Sequence, residues 1–169
     1  MRKSVSFLGL FSGLFSHISV ATGIYRLSHY FFTKRLGLVS KFFYVLNITL
    51  FGLDISPMSE IGPGFVICHL TGNIIHGKIG RNALLYGQNV LGGDGYDSKT
   101  GWYGGPTAGD NLVMYIGSKI LAPVKVGDNV VIGAASLALD DIPDNKVVVG
   151  SPAKIIKDNN GQGPFGHNS

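Results

Sequence analysis

Counting every sixth residue from Ile55 gives Ile61, Ile67, Asn73, Ile79, Leu85 and Leu91, and six of these seven positions are apolar. The count resumes at Ala108 and runs through Met114, Ile120, Val126, Ile132 and Ala138, all apolar. Glycine follows several of them directly, as Gly62, Gly80, Gly92, Gly127 and Gly133. The fourth place after them is small or β-branched at Thr71, Ala83, Ser118, Val124, Val130 and Ser136. A period of six matches neither the repeat of a helix, about 3.6 residues, nor the alternation of a strand. It matches a short strand plus a turn, with one residue per strand pointing inward. Three such hexads close one triangular coil, and hexapeptide repeats are a signature of a β-helix. No coil buries its inner face alone, so stacked neighbours and end caps are required.

The two blocks are out of phase, because Leu91 and Ala108 lie 17 places apart (108 − 91). The intervening "GGDGYDSKTGWYGGPT" (92–107) therefore leaves the solenoid as a protruding loop. It carries six glycines with Tyr96, Trp102 and Tyr103. Loops thrown from a rigid scaffold are where function concentrates. The 25 glycines of the 169 residues are about twice the usual share, and charged residues at 14% fall well below the usual ~25%. A surface so poor in charge fits burial against partner subunits. The net charge of +4 is modest and the basic residues are scattered, which gives nucleic-acid binding no support. The single cysteine, Cys68, excludes an internal disulfide and fits a reducing compartment, so a cytoplasmic protein is expected.

Residues 1–53 read as a helical segment. Ile24, Leu27, Phe31, Leu38, Phe42 and Leu46 recur at helical spacing with Arg26, Lys34, Arg35 and Lys41 between them. Two readings follow: a helix pair packed on the solenoid as its cap, or a basic amphipathic helix in peripheral contact with the inner face of a membrane through residues 1–50. The opening "MRKSVSFLGLFSGLF" resembles a weak secretory signal but is interrupted by Ser4, Gly9, Ser12 and Gly13, and is too short to span a bilayer. The solenoid is expected over 54–157, closed by "VVVGSPAKIIK" (147–157), with a flexible tail over 158–169.

"DISPMSEIGPGFVICHLTGNIIHGKIGRNALLYGQNVLGGDG" and "VGDNVVIGAASLALDDIPDNKVVVGSPAKII" closely resemble the serine O-acetyltransferases within the hexapeptide-repeat acyltransferase superfamily. The resemblance runs from about Tyr25 to Ile156. It implies a mostly β fold, a left-handed parallel β-helix, assembled as a homotrimer with acetyl-CoA bound between subunits. It also implies that His69, the histidine of an H-x-T-G motif, is the catalytic base. Asp54, fifteen residues earlier and almost one coil away, would orient it from the adjacent rung, and the Gly93 backbone N–H would stabilise an oxyanion. Gly117 and Ala134 would let acetyl-CoA lie along the solenoid edge, with Lys119 and Lys154 as candidates for its phosphates. An alcohol is a poor nucleophile at neutral pH, and a neutral imidazole held by a carboxylate answers that need. His76 has no counterpart in the family pattern. A three-histidine zinc site finds only His69 and His76 in the solenoid, so no metal is expected.

The pattern also departs from the family. Serine acetyltransferases carry Asp-His at the catalytic step and a loop ending Arg-His-Pro. Here Cys68 replaces the aspartate, and Gly104 and Gly105 stand where Arg and His are expected. A zwitterionic acceptor needs counter-charges on leaving water. Their loss favours a sugar hydroxyl, from a surface-polysaccharide precursor, with Tyr96, Trp102 and Tyr103 stacking on the ring beside Cys68. The alternatives are a true serine acetyltransferase with a divergent loop, and a non-catalytic scaffold.

Overall fold

A computed structural model describes residues 16–93, 95–97, 102–121 and 123–160, with the backbone alone at 95–97 and 102–104. Two helices come first, α1 (His17–Thr33) and α2 (Gly37–Phe51). Ser16 caps α1 by accepting the Ser19 backbone N–H at 3.2 Å. The chain turns between the helices at Arg35, with φ of 60°, and Gly52 ends α2 in the left-handed conformation that favours glycine.

A parallel β-solenoid of about five turns follows. Its first face stacks β1 (Leu53–Ile55), β4 (Asn73–Ile75), β7 (Val90–Gly92), β12 (Lys119–Leu121) and β15 (Leu137–Ala138). The second stacks β2 (Glu60–Ile61), β5 (Lys78–Ile79), β10 (Thr107–Ala108) and β13 (Lys125–Val126). The third stacks β3 (Val66–Ile67), β6 (Leu84–Leu85), β11 (Val113–Met114), β14 (Val131–Ile132) and β16 (Lys146–Gly150), and the antiparallel β17 (Ala153–Asp158) covers its end. Between β7 and β10 the chain forms a hairpin of β8 (Gly95–Asp97) and β9 (Trp102–Gly104).

All thirteen hexad positions are buried. Their apolar side chains fill the triangular core, the largest favourable contribution to such a fold. One rung departs from a strict count. Ile55 lies opposite Ile75, and Ile75 opposite Leu91, whereas Ile61 pairs with Ile79 and Ile67 with Leu85. The corner after β3 holds two extra residues and the next corner two fewer, so Asn73 points inward as a polar residue in a core position.

The helix stripe expected from sequence is not the buried one. Leu27, Leu38 and Phe42 face outward, while Ala21, Tyr25, Ser28, Ser40 and Asn47 are buried. Tyr25 carries α1 onto the solenoid, donating from its hydroxyl to the Ser59 carbonyl at 2.7 Å, and the Arg26 guanidinium donates to the carbonyls of Ile61 and Gly62. At the other end, Asp158 is still paired with Lys146 and Asn159 is bonded to the Asn129 carbonyl, so the ordered cap reaches past 157. The rest of the expected tail, 161–169, lies outside the described residues.

Candidate active site

His69 sits on the corner that joins the third face to the first. That corner recurs at 68–72, 86–89, 115–118 and 133–136, and a buried polar ladder runs beneath it: Asn73, Asn89, Ser118 and Ser136. The Asn73 amide donates to the carbonyls of His69 and Leu70 at 2.7 and 2.8 Å. The Asn73 side-chain oxygen accepts the Asn89 backbone N–H at 3.0 Å, and Asn89 donates to the Tyr115 carbonyl at 2.7 Å and Ser118 Oγ at 3.0 Å. Ser136 Oγ accepts the Gly150 N–H at 3.0 Å. Fully bonded buried polar networks are rigid. The corner backbone is therefore fixed while the His69 side chain stays exposed.

Gly87, one rung on, makes room for it. A Cβ at Gly87 would lie 2.8 Å from His69 Cβ, and Gly87 has a φ of +131°, which L-residues resist. Gly117, on the same edge, has a φ of +71° and donates its N–H to the Gly87 carbonyl at 2.9 Å. Ala134 follows on the next rung, exposed. The rings of Tyr86 and Tyr115 stack at 4.6 Å along this edge. His69, Gly117 and Ala134 thus share one seam, with Cys68 half-buried beside His69.

Asp54 projects outward from β1, and the residue opposite it across the ladder is Ile74, not His69. Its carboxylate accepts a 2.8 Å hydrogen bond from the Tyr44 hydroxyl, on the inner side of α2. Burial, then the bond and charge of Asp54, push the Tyr44 phenol up to about 12. Asp54 also acts on His76, which lies just past β4. Burial pulls the His76 imidazole below its ordinary value, and the Asp54 charge opposes that pull. Among the described residues no hydrogen bond joins Asp54 to His69. Sequence reasoning had no signal for Tyr44, because its reach to Asp54 depends on how α2 seats on the first rung.

The remaining expected residues fall elsewhere. Gly93 is exposed just past β7, on the corner where the hairpin leaves, a different edge from His69. Lys119 is exposed at the start of β12, beside the seam. Lys154, on β17, forms an exposed ion pair with Asp140 at 3.4 Å. The side chains of Tyr96, Trp102 and Tyr103 lie outside the described residues. Among the described residues no group of His, Cys, Asp and Glu side chains is arranged to hold a metal.

No family model matches the chain. A serine acetyltransferase of Helicobacter pylori is 35% identical over 137 residues, spanning 78% of this chain and 77% of the relative. The chain belongs to the serine acetyltransferase family. The serine acetyltransferase of Buchnera aphidicola is 39% identical over 135 residues, 79% of this chain but 51% of the relative. The chain thus spans about half the length of several of the curated relatives it matches. A solved serine acetyltransferase of Neisseria gonorrhoeae superposes with a TM-score of 0.82 at 26% identity, covering 94% of this chain and 61% of that one. A serine acetyltransferase solved in complex with CoA gives a TM-score of 0.69 at 25% identity, over 80% of this chain and 55% of that one.

Proposed function

We propose that the chain is an O-acetyltransferase that moves an acetyl group from acetyl-CoA to the hydroxyl of serine. The observation that carries this reading is family membership joined to a rigid corner presenting His69 on the same edge as Gly117 and Ala134. The neutral imidazole of His69 takes the proton of the acceptor hydroxyl as its oxygen attacks the thioester carbonyl. The C–S bond then breaks, an O-acetyl ester forms, and the imidazolium returns the proton to the departing thiolate, which leaves as CoA thiol. The Gly93 N–H would stabilise the oxyanion. Gly93 and His69 occupy different edges of adjacent coils, so a neighbouring protomer of the homotrimer supplies whichever edge is missing. Small residues at Gly117 and Ala134 leave the seam open to acetyl-CoA, with Lys119 and Lys154 toward its phosphates. The coil is read as left-handed, as in the family. An acetyl-CoA donor and the one free thiol fit the cytoplasm.

Asp54 is a positioning residue in this reading, held in place by the Tyr44 hydroxyl. The comparisons favour serine over the carbohydrate acceptor expected from the loop, and polysaccharide biosynthesis draws no support from them. One observation keeps a sugar hydroxyl as the second reading: Cys68, Gly104 and Gly105 stand where charged or polar serine ligands are expected. Thiol release from acetyl-CoA with a panel of serine, other hydroxy-amino acids and sugars separates the readings. Turnover with serine supports the first, and turnover with sugars alone supports the second. Turnover with none leaves a non-catalytic scaffold.

A further inference from the structure

The first 53 residues hold six basic residues, Arg2, Lys3, Arg26, Lys34, Arg35 and Lys41, and none of the chain's ten acidic ones. Within this acid-free segment α2 is built inside out. It buries Ser40 (1% exposed) and Asn47 (2%) while Leu38 (88%) and Phe42 (62%) face outward. Water as the outer medium favours the opposite partition. The two helices meet through small hydroxyls: Ser28 Oγ donates to the Ser40 carbonyl at 2.8 Å, and Ser40 Oγ donates to the Ser28 carbonyl at 2.8 Å. Small polar residues between helices, with bulky apolar side chains outward, is how helices pack when lipid surrounds them. Leu38, Phe42, Val45 and Leu46, with Lys41 and Thr49, line an open apolar groove of about 370 Å³. Lys34 and Arg35 lie at the turn leading into it. Among the described residues, Lys34, Arg35 and Lys41 form no ion pair.

We propose that the outer face of α2 docks on an anionic lipid surface. Leu38, Phe42 and Val45 enter the boundary between headgroups and acyl chains, and Lys34, Arg35 and Lys41 meet the lipid phosphates and carboxylates. No helix among the described residues is long and apolar enough to cross a bilayer, so the face lies in the interface rather than spanning it. A second copy fits this face less well. A two-fold contact would bring two cation-bearing segments together with no carboxylate in either to neutralise them. The inference rests on surface chemistry and is independent of the acetyl-transfer reading.

The test is co-flotation of the full chain with phosphatidylcholine vesicles, with and without phosphatidylserine, beside light scattering of the protein alone. The expected result is binding to the phosphatidylserine vesicles that weakens with added salt. Lys34→Gln, Arg35→Gln and Lys41→Gln should each weaken it by about five-fold. Leu38→Ser with Phe42→Ser should weaken it roughly ten-fold or more while circular dichroism stays unchanged. Lys34→Gln keeps the apolar face intact, so the charge effect is readable even if the double serine variant fails to fold. Four results overturn the proposal: no flotation, equal flotation with both vesicle types, binding that survives the double serine change in a folded protein, or self-association through this face in place of lipid binding.

Discussion

The Tyr44 hydroxyl, on the inner side of α2, donates a 2.8 Å hydrogen bond to the Asp54 carboxylate on the first rung of the solenoid. The bond couples the seating of the helical cap to the residue expected to tune the site. Tyr44→Phe removes the donor and should cost about 1 kcal/mol of stability, read as a lower denaturation midpoint. Acetyl transfer should fall with it, since Asp54 then loses its anchor. An unchanged midpoint and rate would show that the bond carries nothing.

The same contact fixes an alkaline limit. Tyr44 and Tyr25 are both pushed up to about 12, chiefly by burial, from an ordinary value near 10. A raised phenol means that the folded chain keeps its proton longer than the unfolded one. Their contribution is present in full below about pH 10 and is lost as pH rises toward about 12. Urea midpoints should therefore fall steeply across that window. Tyr44→Phe should flatten part of the slope and leave the Tyr25 part.

His76 reports on Asp54 from the other side. Burial lowers its imidazole, and the Asp54 charge raises it again. Asp54→Asn removes the opposing charge, so the His76 titration followed by NMR should move further down. With the folded value depressed, the stabilising contribution is present above the unfolded value, about 6.5, and is lost as pH falls through the folded one. An unchanged His76 titration in Asp54→Asn would place the two groups out of reach of each other.

Gly87→Ala brings a Cβ to 2.8 Å of His69 Cβ at a φ of +131°. Strain of this kind costs of order 1–3 kcal/mol. Thermal unfolding should show the loss. The rate of acetyl transfer should drop further than stability alone explains, because the displaced side chain is His69. A stable variant with full activity would separate Gly87 from the site.

The hexad count located the core because it depends on one inward side chain per short strand, from Ile55 to Ala138. It misplaced the rung around Asn73 for the same reason: a corner with two extra residues leaves the composition unchanged while shifting the phase. Asn73, the apolar pattern's one exception, is the residue whose amide holds the His69 corner. The H-x-T-G motif singled out His69, but Gly87 beside it comes from the next coil, and Tyr44, which holds Asp54, comes from α2, where spacing in sequence carries no contact. The helix stripe was visible as a period. Which side it faced was not, because helical spacing alone cannot tell a face packed on protein from one turned outward.

Asn89 is the centre of the ladder, bonded to Gly87, Tyr115 and Ser118 and to the Asn73 side chain. Asn89→Ala leaves the buried Gly87 N–H without its side-chain acceptor and should cost about 1–3 kcal/mol. Chemical denaturation checks it. A loss below the error of the midpoint would mean that the corner is held by the strands alone.

Release of CoA thiol from acetyl-CoA in the presence of L-serine, compared between the native chain and His69→Ala, bears most directly on the proposed chemistry. Loss of a general base should lower kcat by about 10²–10⁴-fold, with circular dichroism and oligomeric state unchanged. A His69→Ala protein that turns serine over at a near-native rate would contradict the role given to this imidazole.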